Sequence, residues 1–370
     1  MKKAVMYGAG NIGRGFIGQL FAQSGYEVTF IDVNQALVDQ MNHDRAYPIQ
    51  IVSETGNSEV IVSNVCAING RDQAVVARAI SETDIMATAV GVPILPFIAR
   101  PIAEGLAKRW LDGHAAPLNI IICENLIDAN HYLKELVKKE LPADIRDLLD
   151  ERAGFVEASV GRMVPVMTPE MQAGSPLRVF VEPFCELPVD RDGFRGEIPQ
   201  IQNMIPASPF EFYIQRKLYV HNMGHALLAY LGQLKGYTYV WEAVQDPDIE
   251  SICRTAMYAS ALALSREHGV AYNETKDFVD DLLERFENRQ LGDTVERVGR
   301  DIRRKLAPED RLVGAMNLCL KQRVDPTTIV LGIQAALNCS RKEQDNALES
   351  INLQDVSKHL TNLMEYVYAY

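Results

Sequence analysis

Two groups of residues in this 370-residue chain have the types and spacing to do chemistry. The first is Gly8-Ala9-Gly10-Asn11-Ile12-Gly13, which follows a short apolar run, Ala4–Tyr7, and leads into apolar residues at helical spacing, Ile12, Phe16, Leu20 and Phe21. A strand, a G-x-G-x-x-G turn and a helix form an anion cradle. Gly10 lacks the Cβ that would hold a pyrophosphate off the backbone, and the helix N-terminus offers unpaired N–H groups with a partial positive charge. A second apolar run, Val28–Ile31, ends in Asp32, about 20 residues beyond the turn, where an acid accepts hydrogen bonds from ribose hydroxyls. The carboxylate would repel a 2′-phosphate and no arginine follows it, so the expected cofactor is NAD and not NADP. The alternative is a glycine-rich turn that binds nothing.

The second group is Lys217, Asn222 and His225, set in an otherwise apolar stretch. On an α-helix at about 100° per residue, Asn222 lies roughly 140° and His225 roughly 80° from Lys217, so all three share one broad face. Polar groups among apolar neighbours cost free energy unless paired or used. A lysine in a dry pocket serves as a base for a hydroxyl proton, and an asparagine amide holds a developing alkoxide. A solvated lysine, a capping asparagine and a core histidine would give the same spacing. His221 and His225 at i, i+4 also have a zinc-like separation, but no H-E-x-x-H pattern or nearby carboxylate accompanies them, so no metal is expected.

The elements that must position these residues are legible in part. Strand candidates at 3–7, 27–31, 84–89 and 118–123 alternate with helical stretches near 12–24, 34–42, 73–81 and 94–110, the rhythm of a doubly wound parallel sheet. The runs 48–53 and 59–63, either side of Glu54-Thr-Gly-Asn-Ser, predict an inserted antiparallel hairpin. Eight of the 17 prolines fall between Pro165 and Pro209, which marks a crossing segment since proline removes backbone donors; one strand, 177–182, lies within it. Helical spacing then dominates, at 210–235, 247–268, 274–287, 308–321, 325–339 and 352–366. The reading is α/β: a Rossmann-type domain over 1–190 and an all-α substrate and catalytic domain over 191–370.

Composition sets bounds. A net charge of −12 speaks against nucleic acid or an anionic membrane as the partner, and no apolar run approaches the ~18 residues of a membrane span. Six cysteines scattered without C-x-x-C spacing fit reduced core thiols, and a strand at the very start of the chain leaves no room for a signal peptide. A cytoplasmic location is expected; the sequence leaves monomer and dimer both open. An anionic substrate would need a local basic patch, and one exists: seven arginines and Lys305 lie between Arg285 and Arg311. Arg297, Arg300 and Arg304, at i, i+3 and i+7, share a face if that segment is one helix; Arg300, Arg304 and Lys305 are the candidates for a phosphate. Glu287, Asp293, Glu296, Asp301, Glu309 and Asp310 offer the competing reading of a solvated, ion-paired face.

The opening Gly8–Gly18, the Lys217…Asn222…His225 spacing and the length resemble the polyol-specific long-chain dehydrogenases, the mannitol dehydrogenase family. The segments Pro117–Asn125, Arg285–Asn288, Val295–Arg300 and Arg304-Lys-Leu resemble it too. The similarity runs over most of the chain and is weakest from about 166 to 210 and over the last 30 residues. The resemblance implies metal-independent, NAD-dependent hydride exchange between a polyol and a ketose, here mannitol 1-phosphate and fructose 6-phosphate or a close phosphorylated pair. It implies Lys217 as base, Asn222 and Asn125 as donors to the substrate oxygen, and His225 as an orienting group. Thr88, Val90 and Gly91, at a strand end, would flank the nicotinamide. An unphosphorylated polyol or sugar acid is the alternative substrate; a dinucleotide sensor without catalysis is the alternative class. The chain departs from the family at Gly161 of Gly161-Arg162-Met163-Val164-Pro165, where an aspartate is usual, and at His221, where an apolar residue is expected.

Overall fold

The computed structural model describes residues 1–342. The expected helix at 352–366 lies outside the described residues. The chain divides into two compact units, Met1–Ile214 and Gln215–Tyr370. The division falls at 214/215, where the sequence reading put 190/191, because the segment in between pairs and packs with the first unit.

Six parallel strands carry that unit: β1 (Lys2–Tyr7), β2 (Tyr26–Asp32), β5 (Val65–Asn69), β6 (Ile85–Thr88), β7 (Leu118–Ile122) and β8 (Ala153–Glu157). Their order is β5-β2-β1-β6-β7-β8. The order reverses between β1 and β6, and ligands of open α/β sheets bind at the strand C-termini beside such a switch point. Both faces are covered, as a parallel sheet requires. Ala4 and Met6 of β1 enter one core with Phe16, Leu20 and Phe30. Val5 and Tyr7, one residue out of phase, enter the other with Ile80, Ile102 and Leu106.

The expected hairpin is present as β3 (Ala46–Ile51) against β4 (Ser58–Ser63), antiparallel from Ala46↔Ser63 to Ile51↔Ser58. It becomes a three-stranded sheet when β9 (Val179–Val181) pairs parallel to β3. Two further strands in the proline-rich segment, β10 (Leu187–Asp190) and β11 (Met204–Ala207), pair in parallel. The sequence reading missed β5, β8, β10 and β11; each is four or five residues long, too short to show a period.

The second unit is helical among the described residues, apart from an isolated bridge between Tyr239 and Thr294. The longest helix among its described residues, Pro247–His268, has Pro247 at its first position, the Asp246 carboxylate accepting from the Asp248 and Ile249 N–H groups, and Gly269 in the left-handed region at its end. The expected helix over 210–235 is three segments: Glu211–Gln215, a π-helical stretch Arg216–Asn222, and Met223–Lys235. No described helix is long and apolar enough to cross a membrane.

Candidate active site

The glycine turn follows β1 at the switch point. Gly8 has φ +100°, and a Cβ there would strike the backbone of Ala89, beyond β6. A Cβ on Gly13 would strike the Gly8 carbonyl. At Gly10, by contrast, nothing lies within 4 Å of where a Cβ would stand. Two glycines are thus required by the fold, and the third faces the open space that a pyrophosphate needs. The Asp32 carboxylate locks the turn: Oδ2 accepts from the Ala9 N–H at 2.9 Å and Oδ1 from the Asn34 N–H at 2.9 Å. A carboxylate has about four acceptor positions, so two remain for ribose hydroxyls. Asn11 reaches the Pro165 carbonyl at 3.4 Å, and Gly13–Gly18 is a π-helical turn, not the expected α-helix.

Thr88 ends β6, fully buried, and its Oγ1 has no hydrogen-bond partner among the described residues, an omission that folded chains rarely leave without a use. Val90 and Gly91 follow, with Gly91 at φ +91°. Asn125 lies just past β7, in the loop before the helix Ala129–Glu140. The cofactor-binding candidates Gly8–Gly13, Asp32, Thr88, Val90 and Gly91 therefore gather at the ends of β1, β2 and β6. These residues fit a dinucleotide.

In the second unit Lys217 and Asn222 both lie in the π-helical stretch, and His225 in the first turn of Met223–Lys235. The 100° wheel does not apply there. A π turn bonds i to i+5, so Lys217 and Asn222 stand one ladder step apart instead of about 140° round the axis. Such turns are frequent at functional sites. His225 stacks on Phe286, with centroids 5.0 Å apart, and its Nε2 lies 3.3 Å from Asp293 Oδ2, off the N–H axis. Burial alone would push the Asp293 carboxyl up; His225 and Arg297 outweigh it and hold the group below the ordinary aspartate value. His221 is buried edge-on to Phe286. Burial first, then the cationic surroundings of Arg285, His225, Lys217 and Arg311, hold it well below the usual histidine value, so it is neutral. The described residues contain no group of three or more His, Cys, Asp or Glu side chains placed to share a metal ion.

The basic segment is not one helix. Val295–Gly299 ends at Arg300, Asp301 takes a left-handed conformation at φ +59°, and Ile302–Lys305 begins again. The common face expected for Arg297, Arg300 and Arg304 is lost at that break. Arg297 pairs with Asp293, Arg300 with Glu296, and Arg304 with Asp301 and Asp310. Lys305 is buried, and its Nζ donates to the carbonyls of Val298 and Arg300, which leaves one N–H donor. Burial, with Arg311 and Arg304 adding and Asp301 and Asp310 opposing, pushes its pKa down to about 8.

A family model for the mannitol dehydrogenase Rossmann domain matches residues 2–203, and one for the mannitol dehydrogenase C-terminal domain matches 210–367. The chain belongs to the mannitol dehydrogenase family. This family member is an oxidoreductase, and NAD is its cofactor. It is 42% identical over 334 residues to a mannitol-1-phosphate 5-dehydrogenase of Brevibacillus brevis, covering 90% of this chain and 85% of that protein. Among solved structures it resembles a D-sorbitol dehydrogenase in substrate-free form (TM-score 0.79, 16% identity, 92% of this chain and 81% of that one). It also resembles the Pseudomonas fluorescens mannitol 2-dehydrogenase ternary complex with NAD and D-mannitol (TM-score 0.72, 16% identity, 90% and 78%). At that identity the two structures speak for the fold.

Several residues of this mannitol dehydrogenase family member escaped the sequence reading. Arg162 is buried and gives Nε and Nη2 to the Glu182 carbonyl (3.1 and 2.9 Å) and Nη1 to the Gly15 carbonyl and Gln19 Oε1 (2.9 and 2.8 Å), which pins the 161–165 segment to the dinucleotide helix. Beside it, a Cβ on Gly161 would meet only the Phe184 ring, at 3.4 Å. Glu124, two residues past β7, and Glu157, the last residue of β8, are both buried. Only Glu124, next to Asn125, had a signal to find it by.

Proposed function

We propose that the chain interconverts mannitol 1-phosphate and fructose 6-phosphate, or a close phosphorylated polyol and ketose. The 42% identity to a mannitol-1-phosphate 5-dehydrogenase over 90% of the chain carries this reading. NAD, when bound, takes or returns the hydride at its nicotinamide. The proton belongs to the protein. Lys217 Nζ, as the base, removes it from the substrate hydroxyl as the carbonyl forms, and returns it in reduction. The amides of Asn222 and Asn125 donate to the oxygen as negative charge develops. Asp293 favours the proton of His225 on Nε2, so Nδ1 is left as an acceptor for a substrate hydroxyl. No step needs a metal.

Arg300, Arg304 and Lys305 are the proposed phosphate ligands. A second reading, a free polyol or sugar acid as substrate, draws support from the engagement of all three: two arginines in acid pairs and the lysine on carbonyls. Fructose 6-phosphate and fructose, compared by NADH consumption, separate the two. The phosphorylated reading expects fructose 6-phosphate to be preferred mainly through KM, since each charge-assisted bond to phosphate contributes roughly 1.5–3 kcal/mol. Equal kcat/KM for both sugars would put the free polyol first. Binding of NADH without turnover of any ketose would leave a sensor.

A further inference from the structure

Glu124 stands between the last residues of β7 and Asn125, and the mechanism above gives it no role. It is 7% exposed. Its Oε1 accepts from the Val90 N–H at 2.9 Å and its Oε2 from the Gly91 N–H at 2.8 Å. Both oxygens act as acceptors, the arrangement that suits a carboxylate, which has no proton of its own to place. It forms no ion pair with any described residue; its contacts are two neutral amides. A buried charge is costly unless something of opposite sign faces it. The amides belong to the loop that follows Thr88 at the switch point, where Thr88 also leaves a polar atom unpaired.

A nicotinamide ring meets that requirement in one redox state only. It carries a positive charge when oxidised and none when reduced. We propose that Glu124 sets the redox preference of this loop, holding the oxidised dinucleotide more tightly than a neutral residue would while clamping residues 90 and 91 in place. The inference rests on the reading that residues 88–91 flank the nicotinamide. Glu124 is a positioning residue in this account, acting across the loop and not on the reacting atoms.

The test is the pair of dissociation constants for NAD+ and NADH at one pH and salt concentration, in wild type, Glu124→Gln and Glu124→Asp. Glutamine keeps the size and removes the charge. Its Kd for NAD+ is expected to rise about tenfold more than its Kd for NADH. Aspartate keeps the charge on a shorter arm, so both constants should weaken by a common factor. A glutamine variant that weakens both dinucleotides equally, or neither, overturns the proposal and reduces Glu124 to a clamp. An aspartate variant that shifts the ratio as far as glutamine overturns it too. Wild type supplies an arm that survives a misfolded variant: it should hold NAD+ at least as tightly as NADH, and tenfold tighter binding of NADH counts against the charge. Failure of wild type to bind either dinucleotide would instead remove the cofactor reading beneath.

Discussion

Glu157→Gln should stabilise the protein at neutral and alkaline pH and leave it unchanged in acid. Glu157 is the last residue of β8, 9% exposed, with Oε1 accepting from the Asp128 N–H at 3.0 Å. Burial first, then the nearby charge of Asp128, raises its pKa from 4.5 to about 7. The folded chain therefore keeps this proton to a higher pH than the unfolded chain. Between about 4.5 and 7 the folded state binds more protons, so the free energy of unfolding falls as pH rises through that window, and the full cost is present above it. At 1.36 kcal/mol per pKa unit the gap is worth roughly 3 kcal/mol, and solvent access to a carboxyl that is not wholly enclosed brings the expectation to about 2 kcal/mol. Glutamine keeps the acceptor for Asp128 and never ionises. For a unit of this size roughly 2–4 °C accompany each kcal/mol, so calorimetry at pH 8 should place the melting of the first unit roughly 4–8 °C higher in the variant. At pH 4.5 the gain should shrink below about 0.5 kcal/mol. A variant that melts at or below wild type at pH 8 would refute the argument, since it would mean that the charge is not the cost.

Three further outcomes follow from the site. NADH should support turnover far better than NADPH, and Asp32→Ala should narrow that gap by about 1–3 kcal/mol while loosening NADH itself, because Ala9 and Asn34 lose their acceptor; equal use of both cofactors by wild type would sink this. Lys217→Ala should lower kcat by at least ~10² with NADH binding close to normal, and a chelator should not change the wild-type rate; near-normal turnover of the variant is the contrary result. Gly13→Ala should cost about 3 kcal/mol or more in a thermal melt, since its Cβ meets the Gly8 carbonyl, whereas Gly10→Ala should fold normally and bind NADH at least ~10-fold more weakly. If Gly10→Ala binds NADH as wild type does, the open space beside Gly10 is not the pyrophosphate position.

What the sequence disclosed and what it withheld have physical reasons. The strand, the turn, the helix and Asp32 were legible because each imposes a local requirement: a glycine, an apolar run, an acid at a fixed distance. The inserted hairpin was legible from two β-rich runs around a turn. β5, Val-Cys-Ala-Ile-Asn, and β8, Ala-Gly-Phe-Val-Glu, were not; they owe their conformation to a neighbouring strand already in place. The helical half was visible from its apolar period, but that period cannot distinguish an i+4 from an i+5 ladder over one turn, so the geometry of Lys217 and Asn222 was misjudged. The basic cluster was visible as composition. Its break at Asp301 and the burial of Lys305 depend on tertiary contacts that the spacing of arginines does not encode. Glu157 carries no mark in the sequence because a carboxylate at a strand end is ordinary until its surroundings are known, and Glu124 carries only its place beside Asn125.

The stretch that follows the glycine turn, Gly13–Gly18, and the stretch that holds Lys217 and Asn222, Arg216–Asn222, both run as π turns continuing directly into α-helices. A π turn houses one residue more than the α-helix it interrupts. Deleting a residue inside either stretch would therefore cost the helix little as a helix. The residue taken out is the extra one, so the wide turn closes to an α turn and the helix on either side keeps its register. For Arg216–Asn222 the downstream side is committed: Leu227, Leu228 and Tyr230 are fully buried. An insertion after Lys217 has no such slack and would turn that lysine by about 100° relative to the committed side. The stretch can thus lose a residue and keep its face but cannot gain one, a tolerance that runs in one direction only.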